Sequence, residues 1–133
     1  MPEPFIWTVR VYYEDTDASG VVYHAAYLRF FERARTEWLR ALGQGQEHLR
    51  QSRGLAFTVA NMQTDFVKPA RLDDELDVTV AIEQVRGASL KFRQTLRRRS
   101  DQALLARADV RVACVDAATF RPHPIPAGMF SPT

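Results

Sequence analysis

The chain changes its hydrophobic period twice. From Phe5 to Tyr13 apolar and polar residues alternate, with Trp7, Val9, Val11 and Tyr13 on one side and Thr8 and Arg10 on the other. That period of two predicts a strand over Phe5–Tyr13. From His24 or Ala25 to Leu42 the period becomes helical. Tyr27, Phe30, Phe31, Ala34, Trp38, Ala41 and Leu42 recur at spacings of three and four, which predicts one long helix with a broad aromatic stripe. The opposite side carries Arg29, Glu32, Arg33, Arg35, Glu37 and Arg40, with Arg33 and Glu37 spaced as an i,i+4 pair. Gly43 is a natural stop, and "QGQEHLRQSRG" reads as a loop with one short helical turn.

Alternation then returns, predicting strands near 55–67, 76–86, 89–99 and 104–115. Leu76, Val78, Val80 and Ile82 form one inward set. Leu90, Phe92, Gln94 and Leu96 form a second, and Ala108, Val110, Val112 and Cys114 a third. "RGA" and "SDQ" are hairpin turns, "KPARLDD" is a Pro-containing turn, and the tail "RPHPIPAGMFSPT" is Pro-rich and irregular. The expected architecture is α+β in a single domain over residues 1–133: a curved, mostly antiparallel five-stranded sheet laid on one long helix.

Between the first strand and the helix stands "EDTDASGVVYH". Glu14, Asp15 and Asp17 precede a helix N-terminus. Two readings are open. The acids can complement the helix dipole and cap its free N–H groups. Alternatively, Gly20 lets a ligand approach the backbone, the first helical N–H groups hold an oxyanion, and an ionised Asp17 serves as general base or nucleophile. A histidine at a helix start, as at His24, is commonly a structural hydrogen-bonding residue, yet the turn also lets His24 converge with Asp17. Tyr13 stands within reach of the same pocket.

Composition narrows the classes. The formal charge is +2, from 18 basic and 16 acidic residues, so nucleic acid is not an expected partner. A single cysteine, Cys114, excludes an intrachain disulfide, and its alternating apolar context marks it as a core residue. His48 and His123 have no partners nearby in sequence and read as surface residues. No HExxH, paired-histidine or cysteine-rich pattern occurs, so neither a metal nor a cofactor is expected. There is no GxSxG, GxGxxG or P-loop. "MPEPFIWTVR" lacks a basic segment followed by an apolar one, and no apolar run is long enough to span a membrane. A cytoplasmic location is expected.

The stretch "VRVYYEDTDASGVVYHAAYLRFFERARTEWLR" resembles the 4-hydroxybenzoyl-CoA thioesterase-like hotdog family and, within it, the bacterial Tol-Pal-associated acyl-CoA thioesterase branch of the YbgC type. Tyr13, Thr16, Asp17, Gly20, Val22, Tyr23, His24, Tyr27, Glu32, Ala34 and Arg35 meet its pattern. "PARLDDEL", "RGASLKF" and "VACVD" extend the likeness, which runs from about Val9 to Asp116. Ser19 is a departure, at a place where relatives often carry Gly or Ala. The resemblance implies a hotdog fold and hydrolysis of acyl-CoA thioesters. It implies Asp17 as the catalytic acid, the His24 amide as oxyanion donor, and Tyr13 with the His24 side chain lining the site. Gly20, Val22 and Tyr23 then lie against the substrate. It also implies a homodimer with its sheets edge to edge, a homotetramer by further pairing, and active sites at the dimer interface.

Coenzyme A carries phosphates that need cations. Arg86, Ser89 and Lys91 are the candidates, with Arg97, Arg98, Arg99 and Arg121 behind them. Basic residues alternating along a strand also form ordinary solvated faces, and the triple arginine can protect a sheet edge. The rival function is a non-catalytic acyl-CoA-binding module, which has no use for an ionised carboxylate beside a carbonyl cradle. A hotdog dehydratase using His24 and Asp17, and a nucleic-acid binder using the Arg97–Arg99 region, rank below it.

Overall fold

A computed structural model describes residues 4–130. Strand β1 (Phe5–Arg10) leads through a 3-10 turn (Tyr13–Asp15) to helix α1 (His24–Ala41) and helix α2 (Gln46–Arg53). Four strands follow: β2 (Leu55–Phe66), β3 (Glu75–Arg86), β4 (Ser89–Arg98) and β5 (Leu104–Asp116). They form one five-stranded sheet in the order β1-β3-β4-β5-β2, with every neighbouring pair antiparallel. Both β1 and β2 are therefore edges. Bulges between Val59 and Asn61 and between Ile82 and Gln84 bend the strands and help the sheet curve around α1.

Burial drives this arrangement. Phe30, Phe31 and Ala34 of α1 are fully enclosed against Leu76, Val78, Leu90, Phe92, Leu96 and Val110 of the sheet. Each large side chain so buried contributes about 1.5–3 kcal/mol. The three inward sets expected from alternation all face this core, Gln94 included. Cys114 is buried as expected.

Several expectations need correction. The first strand stops at Arg10 rather than Tyr13. The Asp15 carboxylate accepts the Tyr12 N–H at 2.9 Å and the Asp15 N–H donates to Tyr12 O at 3.0 Å, which diverts the chain into the 3-10 turn. Consequently Tyr13 does not share the inner face with Val11; it is 82% exposed. On α1, Arg35 and Leu39 are buried while Leu42 is exposed. Arg33 does not pair with Glu37, which instead holds Arg40 at 2.7 Å. The stretch read as a loop with one short helical turn is an eight-residue helix, α2, that buries Leu49. It ends at Gly54, whose φ of +65° suits a residue without Cβ. The tail is irregular as expected but anchored: Phe130 stacks on Trp38 at 5.2 Å and against Phe57 at 5.8 Å.

Candidate active site

The turn ahead of α1 is built from backbone bonds. Asp17 N–H donates to Val21 O at 2.9 Å and Gly20 N–H returns to Asp17 O at 3.1 Å. Gly20 closes this loop at φ +82°, a conformation that strains any side-chain-bearing residue. The loop is moored on both sides. Val22 N–H donates to Ala70 O, and Tyr23 N–H donates to Asp15 O, each at 2.9 Å. Asp15 itself is 5% exposed. Besides receiving Tyr12, it lies 3.7 Å from the Arg29 guanidinium of α1. One buried carboxylate thus ties the strand end, the turn and the helix together.

Asp17 is different. It is exposed, and its Oδ1 accepts both the Ser19 N–H at 2.8 Å and the Ser19 hydroxyl at 2.5 Å. The Ser19 hydroxyl first, then the Ser19 amide, holds the Asp17 carboxyl below the usual carboxylate range, against a smaller opposing effect of desolvation. Oδ2 receives no protein donor among the described residues. The acid is ionised and one oxygen is free.

The start of α1 is left open. Tyr23, the N-cap residue, makes no side-chain capping bond, and the first turn holds no acid. The Asp15 carboxylate is engaged by Tyr12 and Arg29 and Asp17 Oδ1 by Ser19, and among the described residues neither carboxylate accepts from an N–H of α1, so direct capping of α1 by these acids is not what the fold does. Ala26 N–H turns back to Tyr23 O at 2.8 Å, while the N–H groups of His24 and Ala25 have no acceptor among the described residues and carry the positive end of the helix dipole. The His24 ring is exposed and stacks near Tyr23 at 4.3 Å. Phe66, at the end of β2, meets the His24 ring at 6.3 Å and the Tyr27 ring at 5.3 Å, both edge-on, and so walls the helix start.

Other expected residues fall elsewhere. The side chain of Val22 belongs to the core rather than to an open surface. Tyr23 is half-exposed beside His24. The Tyr13 hydroxyl has no hydrogen-bond partner among the described residues. Arg86, Ser89 and Lys91 do come together, at the β3–β4 hairpin, around a cavity of about 240 Å³ completed by Gln84 and Arg111. Lys91 is shared with Glu83 at 3.6 Å, while Arg86 and Arg111 pair with no carboxylate among the described residues. Arg121 is exposed outside this cavity, and Arg98 is engaged by Asp74 and Asp101.

This hairpin and the Asp17 turn occupy opposite ends of β3. The turn is stitched to the Asp74 end, through Val11 N–H to Asp74 O at 2.9 Å and the bridge between Val21 and Arg71. Arg86 lies at the other end, roughly 36 Å away along the strand at about 3.3 Å per residue.

Sequence reasoning missed the tie made by Asp15, the wall made by Phe66 and the contributions of Ser19 and Arg111. Arg111 stands directly across from Lys91 in the β4–β5 pairing, so strand register was the signal that would have found it. Among the described residues no cluster of His, Cys, Asp and Glu is arranged to hold a metal ion, and no helix is long and apolar enough to cross a membrane.

Comparison with known proteins agrees with this architecture. The chain is 49% identical over 122 residues to the acyl-CoA thioesterase YbgC of Haemophilus influenzae, covering 92% of this chain and 88% of that protein. It is 48% identical over 122 residues to the acyl-CoA thioester hydrolase YbgC of Escherichia coli O6:H1, covering 92% and 90%. The crystal structure of a probable thioesterase from Bartonella henselae superposes with a TM-score of 0.87 at 35% identity, covering 93% of this chain and 100% of that one. The model of the thioesterase-like superfamily matches residues 11–131. A match of that extent, on a curved antiparallel sheet wrapped around one long helix, makes the chain a member of the thioesterase-like superfamily with the hotdog fold.

Proposed function

We propose that the protein hydrolyses acyl-CoA thioesters, releasing a carboxylic acid and coenzyme A. The observation that carries this reading is the pairing of an uncapped helix start with an ionised, one-oxygen-free carboxylate in the turn tied to it. The thioester carbonyl oxygen docks on the amide of His24, where the unpaired N–H and the helix dipole stabilise the negative charge that develops on attack. Asp17 then acts in one of two balanced ways. As general base, Oδ2 takes a proton from a water that attacks the acyl carbon. As nucleophile, Oδ2 attacks that carbon to give a mixed anhydride, which water then cleaves to regenerate the carboxylate. Either way the C–S bond breaks and the thiolate leaves. Phe66, Tyr23 and the His24 ring flank the acyl group, and Gly20 keeps its approach clear. The relatives named as acyl-CoA thioesterases support the same substrate class.

Arg86, Ser89, Lys91 and Arg111 suit the phosphates of coenzyme A. Their separation from Asp17 along β3 means that one chain does not offer both to one substrate. The proposed assembly is therefore a homodimer, or a tetramer built from two dimers, in which one copy supplies the turn and its partner the cations. The β2 edge supports this: it is long and unpaired, with Val59 and Phe66 about half exposed. The reading puts the enzyme with its substrate, in the cytoplasm. Release of free thiol from a panel of short aliphatic, long aliphatic and aromatic acyl-CoAs tests the activity. Absence of thiol release from every member overturns it.

A further inference from the structure

A second cavity, of about 130 Å³, lies between the C-terminal half of α1 and the β2 side of the sheet. Its walls are largely apolar, with Phe57, Val59, Leu90 and Phe92 among them. Arg35 also lines it, although that residue is only 8% exposed. The Arg35 guanidinium donates from Nη1 to Gln94 Oε1 at 2.9 Å. The Gln94 amide nitrogen is committed in turn to Phe31 O at 3.1 Å and Thr79 O at 3.3 Å. This relay fixes the guanidinium but gives it no negative charge.

No carboxylate forms an ion pair with Arg35 among the described residues. Glu32 is the acid nearest in effect. It stands exposed on the cavity rim and receives the Thr36 hydroxyl at 3.2 Å instead. An exposed charge is screened by water and offsets little of a buried one. The other nitrogens of Arg35 have no protein acceptor, yet Thr64 Oγ1 is the one sealed side-chain polar atom without a partner among the described residues. Those nitrogens are therefore not sealed, and the adjoining cavity is what they meet. A guanidinium costs several kcal/mol to bury without a counterion, and its planar fork matches a two-oxygen planar anion. An apolar wall beside it suits a hydrocarbon attached to that anion.

We infer that this cavity is a carboxylate site organised by Arg35, with Gln94 holding the guanidinium in place. The cavity has room for several waters or for a small organic acid. It is distinct from the Asp17 turn: Arg35 lies eleven residues along α1 from His24, roughly 16 Å at about 1.5 Å per residue. The carboxylate comes either from a free acid or from the far end of an acyl group bound at an active site.

The test uses the full chain, with butyrate and its neutral isostere butyramide as probes, followed by calorimetry and by the Nε–Hε NMR signal of Arg35. Butyrate is expected to bind about tenfold or more tightly than butyramide and to move that signal. Arg35→Gln should abolish the difference, and Glu32→Gln, which removes only a screened charge, should change butyrate affinity by no more than about twofold. Equal binding of the two probes by the wild-type chain, or butyrate affinity unchanged in Arg35→Gln, overturns the site and leaves a water-filled cavity. The wild-type comparison decides the matter even if Arg35→Gln fails to fold. A second arm compares dodecanedioyl-CoA with dodecanoyl-CoA, whose chains are long enough to run from the His24 end of α1 toward Arg35. An Arg35-dependent preference for dodecanedioyl-CoA identifies the acyl carboxyl as the ligand, and no preference beside tight butyrate binding identifies a free acid. If no acyl-CoA is turned over, the thioesterase reading falls while the butyrate arm still decides this one.

Discussion

The Asp17 turn and the β3–β4 hairpin are both polar, both exposed and both at the ends of β3, yet they are built on different principles. The turn is specified by its own backbone. Five hydrogen bonds from Asp17, Gly20, Val22, Tyr23 and Asp15 fix where one carboxylate stands relative to one helix start. The hairpin cluster is specified by strand register alone: Arg86, Lys91 and Arg111 share a cavity because their strands pair, and among the described residues no side-chain partner immobilises the guanidinium groups of Arg86 and Arg111. A reacting carbon needs placement to a fraction of an ångström, whereas a phosphate needs only dense positive charge within reach. The difference assigns chemistry to the first region and binding to the second.

Asp17→Asn should break the comparison most sharply if it is mistaken. It removes the ionisable group and keeps the shape, so kcat should fall by about 10²–10⁴-fold with an unchanged melting temperature and little change in KM. The double variant Arg86→Ala/Arg111→Ala should do the reverse. With a charge-assisted hydrogen bond worth about 1.5–3 kcal/mol, and about 1.4 kcal/mol equal to tenfold, KM for acyl-CoA should rise by about tenfold or more while kcat holds. The dependence of KM on salt should weaken in parallel. Loss of kcat in the hairpin variant equal to that in Asp17→Asn would erase the distinction. Mixing the two variants under conditions that exchange subunits sharpens it further. If one copy supplies each region, a fraction of the hybrid sites is intact, and turnover at low substrate rises above the average of the two variants measured apart. No such rise in a chain shown to exchange would place both regions' work within one copy.

Asp15 ranks next. Asp15→Ala deletes a part-buried hydrogen bond to a charged acceptor, worth about 1.5–3 kcal/mol, and removes the contact with Arg29 of α1. Stability and kcat should both fall, whereas Asp15→Asn, which retains an acceptor for Tyr12, should lose less of each. A fall in stability with kcat untouched would mean that the turn holds Asp17 without help from Asp15.

How far these regions were legible in the sequence follows from the same contrast. The strands of the hairpin were readable because alternation leaves a period-two trace, and even the buried Gln94 was placed inward by it. Arg35 was not, although its spacing from Phe31 and Trp38 sets it on the apolar stripe. Its charge argued for the outside, and only the Gln94 relay allows it in. Helix α2 reads in the sequence as a loop with one short helical turn, because a single buried leucine leaves no stripe. Its start at Gly45 with Glu47 in the first turn, and its stop at Gly54, were nonetheless written in the chain. Residue type and position before the helix did not set Asp15 apart from Asp17; the family resemblance singled out Asp17, and neither showed what Asp15 does. One became a strut and the other a free acid through tertiary contacts with Tyr12, Arg29 and Ser19.

Ser19 offers the finest test, because it acts on Asp17 without touching the fold around it. The Ser19 hydroxyl is the leading cause of the lowered Asp17 pKa, followed by the Ser19 amide. The acting form is the ionised one, so kcat/KM declines only as pH falls through the folded-state pKa, below the ordinary carboxylate value. Ser19→Ala removes the hydroxyl and leaves the amide, so the pKa should rise part of the way back. The acidic limb of kcat/KM should move to higher pH by less than the full depression, while the rate near pH 7 holds because Asp17 stays ionised in both proteins. Melting temperatures recorded across the same pH range separate this from acid unfolding. An acidic limb that stays fixed in Ser19→Ala, with the fold intact, would mean that a group other than Asp17 governs turnover, and the contrast between a built turn and a merely charged hairpin would lose its chemical meaning.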